Sequence, residues 1–384
     1  MRENIRKICI PISTRGNYGK LKSTFEAINK DRNLQLQIIL AGSILLDSYG
    51  DFKEIIKKDG FEVSAEIPFL LKGDSNEILA VSSGIAQMEF SRVLARLKPD
   101  IVLIIADRFE SLAFAQAALC MNCCIAHLEG GEVSGSIDER IRHAITKLSH
   151  IHFVSNSESG NRLKLMGEEE KNIIISGNPS IDIINEINLE EKILIENFLK
   201  EKEICFDLKD SYLTISQHPV VTEVDSYLDQ LKETFEAIKF FDIQKFWILP
   251  NIDAGYSKAL EFLNCKISEE NSQIIVLNSM PLNLYAILIK NTKCLIGNSS
   301  SGIRESSYLG VPSVNIGNRQ FGRLKDKNTR DCSHEKNEIK DAIKYQINHG
   351  SYNPSFIYGK GESGKIISNY LSNCDLFLEK TITY

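Results

Sequence analysis

Short apolar runs alternate with amphipathic stretches along the whole chain. Ile8 to Ile12, Leu36 to Leu40, Ile101 to Ile105 and Cys124 to Leu128 are rich in β-branched or apolar residues and have strand length. Between them Tyr18 to Asn29, Asn76 to Leu97 and Ser111 to Met121 carry helical periodicity. The second half repeats the rhythm, with strands expected at Tyr212 to Ser216, Phe246 to Leu249, Gln273 to Leu277, Cys294 to Ile296 and Ser313 to Ile316. Strands that are apolar on both faces, each followed by a helix, predict parallel sheets in doubly wound α/β domains. The charged stretch Asn188 to Asp210 reads as a connecting helix and loop. The expected architecture is therefore α/β, with two Rossmann-like domains whose parallel sheets face a deep cleft. Their expected bounds are 1–187 and 188–361, and a final helix within 362–384 is expected to complete the first domain.

Bulk properties narrow the partners. A chain of 384 residues accommodates two cores. A net charge of −6 is the wrong sign for a nucleic-acid groove, although a few arginines and backbone amides suffice for one phosphate group. No apolar run approaches about 20 residues, so no membrane span is expected, and the first residues lack a signal-peptide pattern. Nine scattered cysteines, several in apolar strands, suit a reduced, cytoplasmic protein. Cys120 and Cys123 have redox or zinc spacing, but no second ligand pair accompanies them.

Chemistry concentrates after the strands, where open α/β sheets bind ligands. The densest stretch is His127 to His143, where Glu129, Glu132, Asp138, Glu139, Arg140 and Arg142 crowd a Gly-rich loop. Neighbouring acids push each other's pKa values apart, which allows one to donate a proton while another accepts it. Gly297 to Gly302 is a small-residue turn expected to open a helix at Ile303. Its hydroxyls and free N–H groups form an anion site, or at the least an ordinary N-cap. Arg15, after the first strand, can close on the same anion, and Glu305 can accept hydrogen bonds from a ribose. Arg319 and Arg323 follow the next strand. His218, at the end of a strand, suits a proton relay or a leaving phosphate, and His127 beside Glu129 has the same character. His150 and His152 read as packing residues. Gly359 to Lys365 matches G-x-G-x-x-G and the start of a P-loop, but Ile366 stands where a P-loop needs Ser or Thr. It reads as a turn before a last helix.

Assembled, these residues resemble the hydrolysing UDP-N-acetylglucosamine 2-epimerase family of sialic acid and nonulosonate synthesis, in particular the epimerase half of the animal bifunctional epimerase/kinase. The resemblance is carried by Ala106-Asp107-Arg108-Phe109-Glu110, His127 to Lys147, Gln217-His218-Pro219-Val220, Leu249 to Gly255 and Ile296 to Glu305. It implies a GT-B-like fold and elimination of the nucleoside diphosphate to a glycal, followed by hydration. It also implies Asp107, Glu129 and Asp138 as acid/base carboxylates, with His218 assisting near the leaving group. Arg15, Ser299, Ser300 and Arg319 would hold the diphosphate and Glu305 the ribose, while Arg108, His127, Glu132, Arg142 and Asn251 complete the substrate-binding set. No metal, NAD or ATP cofactor is expected. The substrate would be a nucleotide sugar, UDP-N-acetylglucosamine first, with UDP- or GDP-linked N,N'-diacetylbacillosamine as the alternative. A homodimer or homotetramer is the usual assembly.

One departure stands out. Arg15-Gly16-Asn17-Tyr18 replaces the family's Arg-Ala-Asp-Tyr, which bears on contacts near the phosphate or sugar. The competing readings are a non-hydrolysing epimerase, whose His-x-Glu-Ala-Gly and Pro-Glu-Glu signatures are absent, a glycosyltransferase of the same shape, and a nucleotide-sugar-binding regulator.

Overall fold

The computed structural model describes residues 5–46, 52–73, 75–105, 107–134, 137–204, 206, 211–249, 260–266, 273–277 and 280–383. The chain divides into two compact units. One comprises Met1–Glu132, Asp138–Ile183 and Gly359–Tyr384, and the other Val133–Ile137 and Ile184–Tyr358.

The first unit is built on β1 (Arg6–Ile12), β2 (Leu34–Ala41), β3 (Val63–Ile67), β4 (Ile101–Ile105), β5 (Cys124–Leu128), β6 (Ile151–Val154) and β7 (Ile173–Ile175). They pair in parallel in the order β3-β2-β1-β4-β5-β6-β7. The second unit contains β8 (Tyr212–Ser216), β9 (Gln244–Ile248), β10 (Ile274–Leu277), β11 (Leu295–Gly297), β12 (Ser313–Ile316) and β13 (Thr329–Cys332). These are also parallel, in the order β10-β9-β8-β11-β12-β13. In each sheet the winding reverses beside its first strand, between β1 and β4 and between β8 and β11. Loops diverge at such switch points and leave a crevice at the carboxyl ends of the strands.

Alternation within the strands explains the layers. Ile8, Ile10 and Ile12 pack with Leu21, Phe25, Ile367 and Leu371, whereas Cys9 faces the opposite side, among Phe90, Val102 and Phe114. In the second unit Leu213, Ile215 and Trp247 join Leu231, Phe235 and Ile339, and Tyr212 and Phe246 meet Ile195, Leu199 and Ile287. Each fully buried Ile or Phe contributes about 1.5–3 kcal/mol. No helix among the described residues is long and apolar enough to cross a membrane.

The P-loop look-alike resolves into packing. Helix Ser363–Asn373 begins within it, and a Cβ on Gly364 would lie 2.6 Å from the Ser23 carbonyl oxygen. Glycine there lets this helix approach helix Arg15–Lys30 closely. The N–H groups of Ser363 and Gly364 donate to Asp182 at 2.9 and 2.7 Å. The chain's own carboxylate thus occupies the helix start where a P-loop would hold phosphate.

The carboxyl-terminal tail is pinned by a buried charge cluster. Glu168 faces Lys147 at 2.7 Å, His152 at 3.0 Å and Lys380 at 2.6 Å. Lys380 also donates to the carbonyls of Thr146, Lys147 and Ser149 at the end of helix Ile137–Leu148. Burial alone would raise the Glu168 carboxyl, but hydrogen bonds from His152, Lys147 and Lys380 hold it at about 2, against an ordinary 4.5. A depressed acid stabilises the fold above its unfolded pKa and loses that contribution as pH falls through the folded value. We therefore expect about 3 kcal/mol of stability to disappear between roughly pH 5 and 2. In urea unfolding, Glu168→Gln should show a visibly shallower pH dependence over that window. Identical slopes would disprove the assignment.

Candidate active site

In the first unit the acidic groups gather beyond β4 and β5. Asp107 lies past the end of β4, and Arg108 stands just before helix Phe109–Cys120, where its Nε donates to Glu110 at 2.7 Å. Ala106 lies outside the described residues. The Gly-rich loop expected over His127 to His143 in fact gives way to a helix at Ile137. Buried Ile141 and Ile145 supply its inward stripe. Asp138, Glu139, Arg142 and His143 therefore stand on its first turns rather than in a loop.

Arg142 organises this cluster. Its guanidinium is buried and pairs with Asp107, with Glu139 at 3.1 Å and with the Glu132 carbonyl at 2.8 Å. Burial works against its charge, but the carboxylates of Asp107, Glu132 and Glu139 outweigh that and push its pKa up. Glu139 also meets His143 Nε2 at 2.9 Å. Asp138, half-buried, precedes Arg142 by four residues and so shares its helix face.

Glu129 is held separately. It follows β5 in the left-handed region, at φ 66°, a conformation that costs a non-glycine residue on the order of 1–3 kcal/mol and concentrates at functional sites. Its N–H donates to the Phe153 carbonyl at 3.0 Å. Its Oε1 accepts from Asn178 Nδ2 at 2.8 Å, and Lys20 Nζ stands 3.5 Å from Oε2. His127 is wholly buried, with Nδ1 3.2 Å from the Thr146 hydroxyl.

Arg15 opens helix Arg15–Lys30, which starts three residues before the expected Tyr18. Thr14 caps it, accepting from Asn17 N–H at 3.2 Å. The guanidinium of Arg15 lies 5.2 Å from the centre of the Phe52 ring.

The second unit's switch point is tight. Gly297 has φ 132°, and a Cβ on it would sit 2.1 Å from the Ser216 carbonyl oxygen. Only glycine permits this approach of the ends of β8 and β11. Asn298 then clamps His218, accepting its N–H at 2.6 Å and donating to its carbonyl at 2.8 Å. The Asn298 carbonyl accepts from Arg319 at 3.0 Å and Gln320 at 2.7 Å. Desolvation, aided by the charge of Arg319, pushes the His218 imidazole down to about 3, so it is neutral at ordinary pH. Ser299 Oγ accepts from the N–H and hydroxyl of Ser301 at 3.4 and 2.9 Å, and the Tyr285 hydroxyl lies 2.7 Å from Ser301 Oγ. Burial pushes Tyr285 up to about 12 and keeps it neutral. The helix expected from Ile303 is instead a 3-10 turn, Ser300–Gly302, followed by helix Glu305–Leu309, with Glu305 at its first position. Asn251, with most of its segment, lies outside the described residues.

Three residues escaped the sequence reading. Lys20 is one turn into the first helix. Asn178 precedes Pro179, the first residue of helix Pro179–Glu186, and Asn followed by Pro marks a helix start. Asn298 lies within the serine turn but was given no role. The first unit's groups can exchange protons with a bound molecule. Those of the second, a neutral imidazole, hydroxyls and an arginine at a strand end, suit an anion.

Two parallel α/β units, each with polar groups at its switch point, define a protein of GT-B-like fold. A crystal structure of UDP-GlcNAc 2-epimerase from Methanocaldococcus jannaschii, in complex with UDP-GlcNAc and UDP, has the same fold. Its TM-score is 0.78 at 22% identity, covering 95% of this chain and 99% of that one. The family model for UDP-N-acetylglucosamine 2-epimerase matches residues 26–372, and the chain belongs to that family. The GDP/UDP-N,N'-diacetylbacillosamine 2-epimerase (hydrolyzing) of Campylobacter jejuni is 36% identical over 88% of this chain and 86% of its own length. The UDP-N-acetylglucosamine 2-epimerase of Neisseria meningitidis is 31% identical over 93% and 92%.

Proposed function

We propose that the chain is a hydrolysing 2-epimerase of a nucleotide-linked 2-acetamido sugar. The C2 proton is not next to a carbonyl and resists direct removal. As the C1–O bond to the nucleoside diphosphate breaks, oxocarbenium character makes that proton acidic enough for a carboxylate to take it, and a C1=C2 glycal results. Water then adds its hydroxyl to C1 while a proton returns to C2 from the opposite face. The products are the free 2-epimeric sugar and the nucleoside diphosphate.

In this reading Asp107, Glu129 and Asp138 are the acid/base carboxylates. His218, Arg15, Ser299, Ser300 and Arg319 receive the leaving diphosphate, and Glu305 the ribose. Arg142 holds Asp107 and Glu139 in place, and Arg108, His127 and Glu132 keep the substrate-binding role that the resemblance implies. The observation that carries the reading is Asp107 and Glu129, each with its own cationic partner at a strand end, in a chain with a hydrolysing relative of nearly full length. UDP-N-acetylglucosamine is the donor suggested by the Neisseria relative. The Campylobacter relative favours a second reading, a UDP- or GDP-linked diacetamido sugar.

The test offers each of the three donors in heavy water. We expect one to yield free nucleoside diphosphate together with a 2-epimeric sugar deuterated at C2. A nucleotide-bound epimer without free diphosphate would establish the non-hydrolysing reaction instead. A requirement for an acceptor would establish a glycosyltransferase, and binding without turnover a regulator.

A further inference from the structure

Glu129 cannot be an effective acid or base unless its carboxylate is aimed, and its backbone already sits in a costly left-handed conformation. One neighbour does the aiming. Asn178 is wholly buried, and its Oδ1 accepts from the Ser180 N–H at 3.0 Å and from the Ser180 hydroxyl at 2.7 Å. A backbone N–H can only donate, so the atom facing Ser180 must be the amide oxygen. The amide cannot flip without setting its NH2 group against that N–H. Its nitrogen is therefore committed to Glu129, 2.8 Å from Oε1. Lys20, from helix Arg15–Lys30, stands 3.5 Å from the other oxygen. Lys20 is nearly a third exposed, so water can substitute for it, whereas the buried amide has no such replacement.

Building on the proposed acid/base role of Glu129, we propose that Asn178 is a positioning residue for that carboxylate, locked as a hydrogen-bond donor by Ser180. The polarity follows from the lock. A donor directed at Oε1 favours the ionised form of Glu129 over the protonated one and fixes the plane of the carboxylate. Aligned this way, Glu129 has no rotamer to settle when the sugar arrives. Misplacing a reacting group by about 1 Å is enough to cost about 100-fold in rate.

Asn178→Asp is the informative change. It preserves size and the oxygen that Ser180 requires, but replaces the amide donor with a second carboxyl, so that Glu129 and the new side chain must share one proton. We expect kcat to fall about 100-fold, with KM and UDP affinity within about twofold of wild type. Ser180→Ala, which loosens the lock and leaves the amide in place, should lower kcat about tenfold with the same unchanged KM. Both are read beside Glu129→Gln and beside thermal melting. Asn178→Asp turnover within about threefold of wild type, while Glu129→Gln is inactive, overturns this inference alone. So does a loss that appears in KM or UDP affinity instead of kcat, because that is what a merely structural role would produce. An active Glu129→Gln, or a wild type that releases no nucleoside diphosphate from any donor, overturns the functional reading on which the inference rests. If Asn178→Asp does not fold, the Ser180→Ala result decides: an unchanged kcat refutes the lock and a tenfold loss at constant KM supports it.

Discussion

Asp107→Asn should lower the rate of nucleotide release by about 100- to 10,000-fold while leaving the fold intact. The substitution is isosteric and removes the charge and the transferable proton. The side chain is 22% exposed, against 2% for its partner Arg142, so of the pair only Asp107 is open to a bound molecule. Arg142 keeps Glu139 and the Glu132 carbonyl, and its buried charge is not left bare. Stability should therefore change by about 1 kcal/mol, within the range of a typical point mutation. Initial rates of nucleoside diphosphate release, UDP affinity and thermal melting separate the two effects. A rate within tenfold of wild type would remove Asp107 from the chemistry.

The sequence pattern disclosed what depends on strand periodicity and hid what depends on contact between distant segments. Five consecutive apolar residues, Ile101 to Ile105, read as a strand covered on both faces, which β4 is, and the doubly wound class follows from repeating that pattern. The same logic placed Asp107, Glu129, His218 and the serine turn at strand ends. Helix starts were less legible. Ile137, Ile141 and Ile145 already carry the helical spacing, but the glycines just before them made the acids at Asp138 and Glu139 read as loop. Similarly, Thr14 as a cap was the sign that helix Arg15–Lys30 begins before Tyr18. Pairings such as Arg142 with Asp107, 35 positions apart, or Asn178 with Glu129, 49 apart, leave no periodic trace. The edge strand β7, three residues long, is too short for its own pattern, so the asparagine beyond it had no frame to be read in.

Arg142→Leu should destabilise the first unit by about 3–5 kcal/mol. A buried guanidinium that serves Asp107, Glu139 and a backbone carbonyl is costly to desolvate, but removing it costs more, because Asp107 and the Glu132 carbonyl lose the donor that serves them and Glu139 loses one of its partners. Leucine fills part of the volume and satisfies none of the three oxygens. Arg142→Lys distinguishes charge from geometry. An ammonium restores the charge but not the fork of donors that reaches Asp107 and Glu139 together. It should recover about half of the lost stability and little of the lost turnover, since Asp107 would no longer be held at a fixed angle. Urea unfolding of both variants, beside nucleotide release, tests this ordering. An Arg142→Leu protein within about 1 kcal/mol of wild type would mean that Asp107, Glu139 and Glu132 find other partners, and the cation would then serve the site only through its charge. A lysine variant with full turnover would make the same point about angle, leaving Asp107 as a carboxylate that acts without a fixed orientation.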